Sequence, residues 1–153
     1  MPASNLIESV QNLYAGLTAF SGKPADLWFG DVWPTRSGAF ISLPVIKFTH
    51  AGSVVDTDFE YNPLEVWPFD FLIVSETAQQ ALTIFNRLRH NNAAPSAQSG
   101  FWFASTMDVP AEYQFKEFRP VGQWRVSTGD WAPSGTKVHF VTFSMELHVL
   151  YTG

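Results

Sequence analysis

The stretch Val66–His90, with the sequence VWPFDFLIVSETAQQALTIFNRLRH, carries the clearest structural signal in the chain. Up to Val74 it has apolar side chains at both odd and even positions, which is typical of a strand covered on both faces. The part that follows has apolar residues at helical spacing, namely Ala78, Ala81, Leu82, Phe85 and Leu88. Ser75 stands where an N-cap is needed, and three basic side chains lie near the negative end of the helix dipole. The stretch therefore predicts a buried strand that runs into an amphipathic helix at about residues 75–90.

The elements on either side are predicted from periodicity and residue type. Apolar residues at helical spacing predict a first helix within residues 5–20. β-branched and aromatic residues, or strict alternation, predict strands at residues 40–49, 59–74, 101–107, 121–128 and 138–151. The second of these is either one strand or two pieces broken near Pro63 or at Pro68. Residues 108–120 fit a helical turn or an extended arm.

The order of these elements predicts a single domain, residues 1–153, of the α+β class. Its mainly antiparallel β-sheet is packed with the N-terminal helix and the second amphipathic helix at about residues 75–90. The last two strands are expected to form an antiparallel hairpin, because turn-forming residues lie between them.

The amino-acid composition disfavours several classes of function and excludes others. The 153 residues carry a formal net charge of -5, which disfavours direct nucleic-acid recognition because that needs a basic surface. The chain has no cysteine, which excludes disulfides, thiolate metal sites and a cysteine nucleophile. No stretch resembles a signal peptide or reaches the length of a membrane span. A protein that assembles in the cytoplasm without contacting a membrane is the expectation.

Residues with catalytic or metal-binding chemistry form no recognisable motif. Four histidines are spread along the chain: His50, His90, His139 and His148. His139 and His148 are nine residues apart on one predicted strand, so they should point to opposite faces. Asp56, Asp58 and Glu60 share a strand face if that segment is extended, but such acidic turns are usually solvated. We expect no catalytic residues, no metal and no cofactor; a small enzyme is the least favoured alternative.

Aromatic residues make up 16% of the chain, which is more than one small core needs. They cluster around Trp28 and Trp33, in Phe101-Trp102-Phe103, and at Trp124 and Trp131. Aromatic residues are enriched in buried subunit contacts. The predicted contact set is Trp28, Trp33, Phe101, Trp102 and Trp131. Exposed Trp rings also stack on sugars, so a carbohydrate-binding module is the alternative.

The order of elements resembles that of the tail terminator, or tail completion (head–tail joining), proteins of long-tailed bacteriophages. The resemblance rests on an N-terminal helix, here IESVQNLYAGL, and on the strand Leu43-Pro44-Val45-Ile46-Lys47-Phe48. A strand that feeds a helix follows, here FDFLIVSETAQQALTIFNRLRH, and the C-terminal hairpin ends in the alternating strand HFVTFSMELHVLY.

The resemblance implies a structural virion protein without catalytic residues. Members of that family form a homohexameric ring that caps the tail tube, ends its growth and offers a surface for the head connector or stopper protein. The expected partners are therefore further copies of this chain, the tail tube protein and the head connector. The expected location is the tail or neck of the virion, after assembly in the host cytoplasm.

Overall fold

The computed structural model describes residues 2–18, 20, 22–50, 55–57, 63–90, 100–130 and 135–153. Within these residues the chain forms two α-helices, a short 3-10 helix at Phe101–Phe103 and eight strands. The helices are α1 (Leu6–Ala15) and α2 (Ala78–His90). The strands are β1 (Leu27–Phe29), β2 (Thr35–Arg36), β3 (Ala39–Phe40), β4 (Val45–His50), β5 (Val55–Thr57), β6 (Leu64–Ser75), β7 (Tyr113–Asp130) and β8 (Lys137–Tyr151).

The main sheet has the strand order β1-β4-β6-β8-β7, and β5 also pairs with β6. Strand β1 is parallel to β4, and the other pairs of this sheet are antiparallel. Strands β2 and β3 form a separate hairpin between β1 and β4. The predicted α+β class, with a mainly antiparallel sheet and two helices, is confirmed. The predicted C-terminal hairpin is β7–β8.

Both helices pack against one face of the sheet. That face carries Phe69 and Phe71 of β6 and Phe143 of β8, and the rings of Phe71 and Phe143 stack with their centres 4.9 Å apart. Helix α1 contributes buried residues such as Val10, and α2 contributes Phe85, to the same core. The strict alternation of β8 is confirmed, since every second residue from Val141 to Val149 is buried.

The caps explain where the helices begin. Asn5 caps α1, because its side-chain oxygen accepts a hydrogen bond of 2.8 Å from the backbone N–H of Glu8. The prediction that Ser75 caps α2 is wrong. Ser75 is the last residue of β6, and Thr77 Oγ1 accepts the N-cap bond of 3.1 Å from Gln80 N–H. Helix α2 therefore begins later than residue 75.

The structure decides two alternatives that the sequence left open, at Pro68 and in residues 108–120, and corrects one prediction, the strand at 101–107. Strand β6 is not broken at Pro68, which stays in register opposite Glu146. The strand predicted at 101–107 is the 3-10 helix Phe101–Phe103 followed by irregular chain, because this turn points Phe101 into the core. Residues 108–120 supply the first half of β7. Together with the strand predicted at 121–128 they form one 18-residue strand.

No helix among the described residues meets the length and hydropathy needed to cross a bilayer.

Candidate functional site at the two edges of the sheet

The predicted contact residues lie at two separate places in the fold. Trp28 is in β1 and Trp33 follows it, on one side of the sheet. Phe101 and Trp102 are in the 3-10 helix, which contacts α2 and β7 on the other side. Trp131 lies outside the described residues. The sequence therefore predicted aromatic contact residues at both edges of the sheet. It could not show that the two groups lie at opposite edges.

Phe101 is a core residue rather than a surface residue. Its side chain is 0% exposed, and its ring centre lies 5.4 Å from the ring centres of both Phe71 and Phe118. A residue buried this completely within its own chain has no area left to bury on a partner. We therefore remove Phe101 from the predicted contact set. Its neighbour Trp102 is only half-buried and stays in that set.

Helix α2 ends in a cluster of one arginine and three aromatic rings. The guanidinium carbon of Arg89 lies 4.4 Å from the ring centre of Phe85, 5.6 Å from that of Trp102 and 5.8 Å from that of Trp124. Its Nη2 donates to the side-chain oxygen of Asn86, while its buried Nε–H has no hydrogen-bond partner among the described residues. Desolvation lowers the pKa of Arg89. Sequence reasoning explained Arg89 as a helix-dipole cation and so missed this cluster.

A bulge in β7 places Trp124 in that cluster. Val121 pairs with Ser144 and Arg125 pairs with Thr142, so three residues of β7 face one of β8. Gly122 in the bulge has φ of +68°, a value that favours glycine. The bulge brings the Trp124 ring centre to 5.0 Å from that of Phe85, with 43% of the residue exposed. No described strand pairs with the outer side of β7.

The opposite edge is formed by residues 27–42, which include β1 and the β2–β3 hairpin; we call this segment the flap. Arg36 holds the hairpin against β1, since it pairs with Asp26 at 2.8 Å and its guanidinium lies 5.8 Å from the Trp28 ring centre. Lys47 Nζ donates to the Asp31 carbonyl at 2.9 Å. The flap thus has a fixed position relative to β4.

A cationic side chain lies over each of the two tryptophan rings of the flap. Arg36 stands over Trp28, and Lys47 Nζ lies 5.5 Å from the ring centre of Trp33. A sugar-binding platform needs an open aromatic face, so these contacts count against Trp28 and Trp33 as sugar-stacking residues.

A polar groove of about 490 Å³ lies on the face of the sheet that the helices leave open. Its lining includes Lys47, Asp70, Arg125 and Ser144, and the Ser144 hydroxyl donates to Asp70 Oδ1 at 2.5 Å. Among the described residues that line the groove there is no histidine to act as a base for this serine. The described lining of the groove carries charges of both signs.

The remaining histidine and acidic candidates make separate contacts in different parts of the fold. His50 Nδ1 lies 3.0 Å from the Pro68 carbonyl, and His148 Nε2 lies 3.2 Å from Glu146. His139 and His148 lie on opposite faces of β8, as predicted. Asp58 and Glu60 fall outside the described residues. Within the described part of the chain, no group of three or more acidic or histidine side chains is placed to hold a metal ion.

Comparison with known protein families finds no match, and no curated protein is significantly similar to this chain. Function is therefore inferred from the order of the elements and from the two edges of the sheet.

Proposed function

We propose that this chain is a structural subunit of a long-tailed phage virion, a tail terminator or neck-ring protein that caps the tail tube and joins it to the head connector. The order of elements supports this proposal. Helix α1, the flap, the strand after Leu43-Pro44, the β6–α2 unit and the β7–β8 hairpin follow the order on which the resemblance rests.

One observation carries the assembly part of the proposal, namely that exposed apolar side chains collect at the edges of the sheet. On the flap, Val32 is 85% exposed and Phe40 is 55% exposed, and Trp124 is exposed on β7. Single exposed apolar residues are ordinary, but apolar groups beside open strand edges promote aggregation unless a partner covers them. A subunit whose edges are buried by neighbours accounts for both features.

The test is the growth of tail tubes assembled from the tail tube protein encoded in the same genome. Purified chain is added during assembly, and tube lengths are measured by negative-stain electron microscopy. We expect shorter tubes whose length no longer increases once the chain is present in excess over tube ends. Unchanged growth at every ratio would overturn the proposal.

The carbohydrate-binding alternative has a separate test, in which the chain is applied to a glycan array beside its Trp102→Ala and Trp131→Ala variants. Binding by the wild type that both variants lose would favour the alternative. We expect no binding.

A further inference from the structure

The polar groove on the open face of the sheet is built by the register of four strands. One row of paired residues crosses β4, β6, β8 and β7, and it consists of Lys47, Leu72, Thr142 and Arg125. Directly paired residues share a face of the sheet, so these side chains lie on one side. Asp70 and Ser144 form part of the next row on that side, while Phe71 between the rows points into the core.

Two opposite charges in this groove lack an ion-pair partner. At the flap, Lys47 Nζ donates to the Asp31 carbonyl at 2.9 Å, so a cation already lies beside this aspartate. Asp70 and Arg125 are both exposed, and neither forms an ion pair with another described residue. The Ser144 hydroxyl donates to Asp70 Oδ1 at 2.5 Å. This bond orients the carboxylate and leaves Oδ2 able to accept another hydrogen bond.

The register also limits the distance between these two charges. Asp70 pairs with Ser144, and Arg125 pairs with Thr142, so the two residues stand two strands and two residues apart. With about 4.8 Å between strands and 3.4 Å per residue, their Cα atoms are separated by roughly 12 Å. A ligand with a single charge would be attracted by one of these groups and repelled by the other. A ligand with opposite charges at its two ends satisfies both.

We propose that the groove binds a short peptide of two or three residues with free termini. The terminal ammonium is bound by Asp70, and the terminal carboxylate is bound by Arg125, whose guanidinium matches a carboxylate with two parallel hydrogen bonds. Three extended residues span at most about 10–11 Å, which fits the separation of the two side chains. This binding is a further property of the chain and does not rest on the proposed role in the tail.

The rest of the groove suits the middle of such a ligand. The Thr142 hydroxyl and the Gln123 amide also line it, and both groups can donate to or accept from peptide groups. The volume of about 490 Å³ lies within the range of small-molecule sites, which is roughly 300–1,000 Å³.

The test uses triglycine, which carries both terminal charges and no side chain. Its binding to the isotope-labelled chain is followed by chemical-shift changes of the backbone amides. We expect saturable changes centred on residues 70–72, 123–125 and 142–144. N-acetyl-triglycine lacks the ammonium and triglycine amide lacks the carboxylate, so each should bind about tenfold or more weakly than triglycine.

Variants of the chain test which side chain binds which end. Asp70→Asn should weaken triglycine binding about tenfold and remove the preference for triglycine over its N-acetyl form. Arg125→Gln should weaken it similarly and remove the preference over the amide. Arg119→Gln takes a guanidinium from the same strand outside the groove, so this control should bind as the wild type does. Circular dichroism and thermal melting check that each variant folds.

Several results would overturn the proposal. One is the absence of saturable changes up to the solubility limit of triglycine. Another is binding that both blocked peptides reproduce, or that folded Asp70→Asn and Arg125→Gln variants leave unchanged. Glycine that binds as tightly as triglycine would show that the groove takes a single amino acid, which also contradicts a peptide site.

Discussion

The ring of Phe140 on β8 lies directly over the backbone of Gly129 on β7. A Cβ atom added to Gly129 would stand 2.6 Å from Cε2 of Phe140, which is closer than atoms approach without displacement. Gly129 pairs with Val138, so Phe140 reaches diagonally across the two strands of the hairpin. The side chain that glycine lacks is replaced here by an aromatic ring from the neighbouring strand.

Gly129→Ala is expected to lower the free energy of unfolding by about 1–3 kcal/mol, because the Phe140 ring must move. Urea denaturation measures the change. In a Phe140→Ala background the same substitution should be neutral or slightly stabilising, because alanine restricts the unfolded chain more than glycine does. An equal loss in both backgrounds would show that the ring is not the cause.

Tyr14 gives an expected dependence of stability on alkaline pH. Its hydroxyl donates to the Pro24 carbonyl at 2.6 Å, and burial, reinforced by Asp26, raises its pKa above the ordinary value of 10.0. A raised folded-state pKa means that stability is fully present below the unfolded pKa and is lost as pH rises above it.

Unfolding free energy should therefore fall above about pH 10, where the unfolded state ionises more readily than the folded state. Tyr14→Phe should make this fall shallower, although Tyr113, whose pKa is raised to about 12 by burial and Glu65, retains part of it. At neutral pH the variant should lose about 1–3 kcal/mol, because the Pro24 carbonyl loses its donor. An unchanged alkaline slope would contradict the assignment to Tyr14.

Arg89 is expected to stabilise the fold through contacts of its guanidinium with aromatic rings rather than through its charge alone. Arg89→Lys keeps the charge but loses the broad guanidinium, whose central carbon lies 4.4 Å from the Phe85 ring centre, so it should cost about 1 kcal/mol. Arg87→Lys, on the exposed side of the same helix, is the matched control and should cost much less. Thermal denaturation of both variants tests this difference, and equal losses would rule out a special role for this guanidinium.

Lys47 is expected to anchor the flap. The residue is only 9% exposed, and its ammonium donates to the Asp31 carbonyl. Lys47→Met fills the same space without the hydrogen bond, so amide hydrogen exchange should become faster in residues 27–42 while the exchange of β6 and β8 is unchanged. Lys137→Met, at an exposed position, should change neither region. Uniform acceleration over the whole sheet would indicate general destabilisation instead.

Much of the fold could be predicted from periodicity, and the exceptions have physical causes. The β6–α2 unit and β8 were identified because their apolar residues repeat at strand or helix spacing. The cap of α2 was misplaced because Ser75 and Thr77 are both good N-caps, and only the length of β6 decides between them. The sequence did not predict β7 as one strand, because Pro120 and Gly122 are residues that usually end strands.

The edge surfaces could be predicted only in part. Sequence identified Trp28, Trp33 and Trp102 as candidates for contacts, but burial of Phe101 depends on packing from β6 and β7 that lies far away in sequence. The contact of Arg89 with Trp124 depends on a bulge in β7, and bulges leave no periodic signal. That the flap and β7 lie at opposite edges follows from strand order, which sequence spacing does not determine.

The most direct test of the ring-subunit account is averaging of electron micrographs of tail tube ends, with and without this chain. We predict a ring-shaped cap of six copies at one end of each tube, where end-on views show six-fold symmetry. Tube ends identical to those formed without the chain would contradict the account.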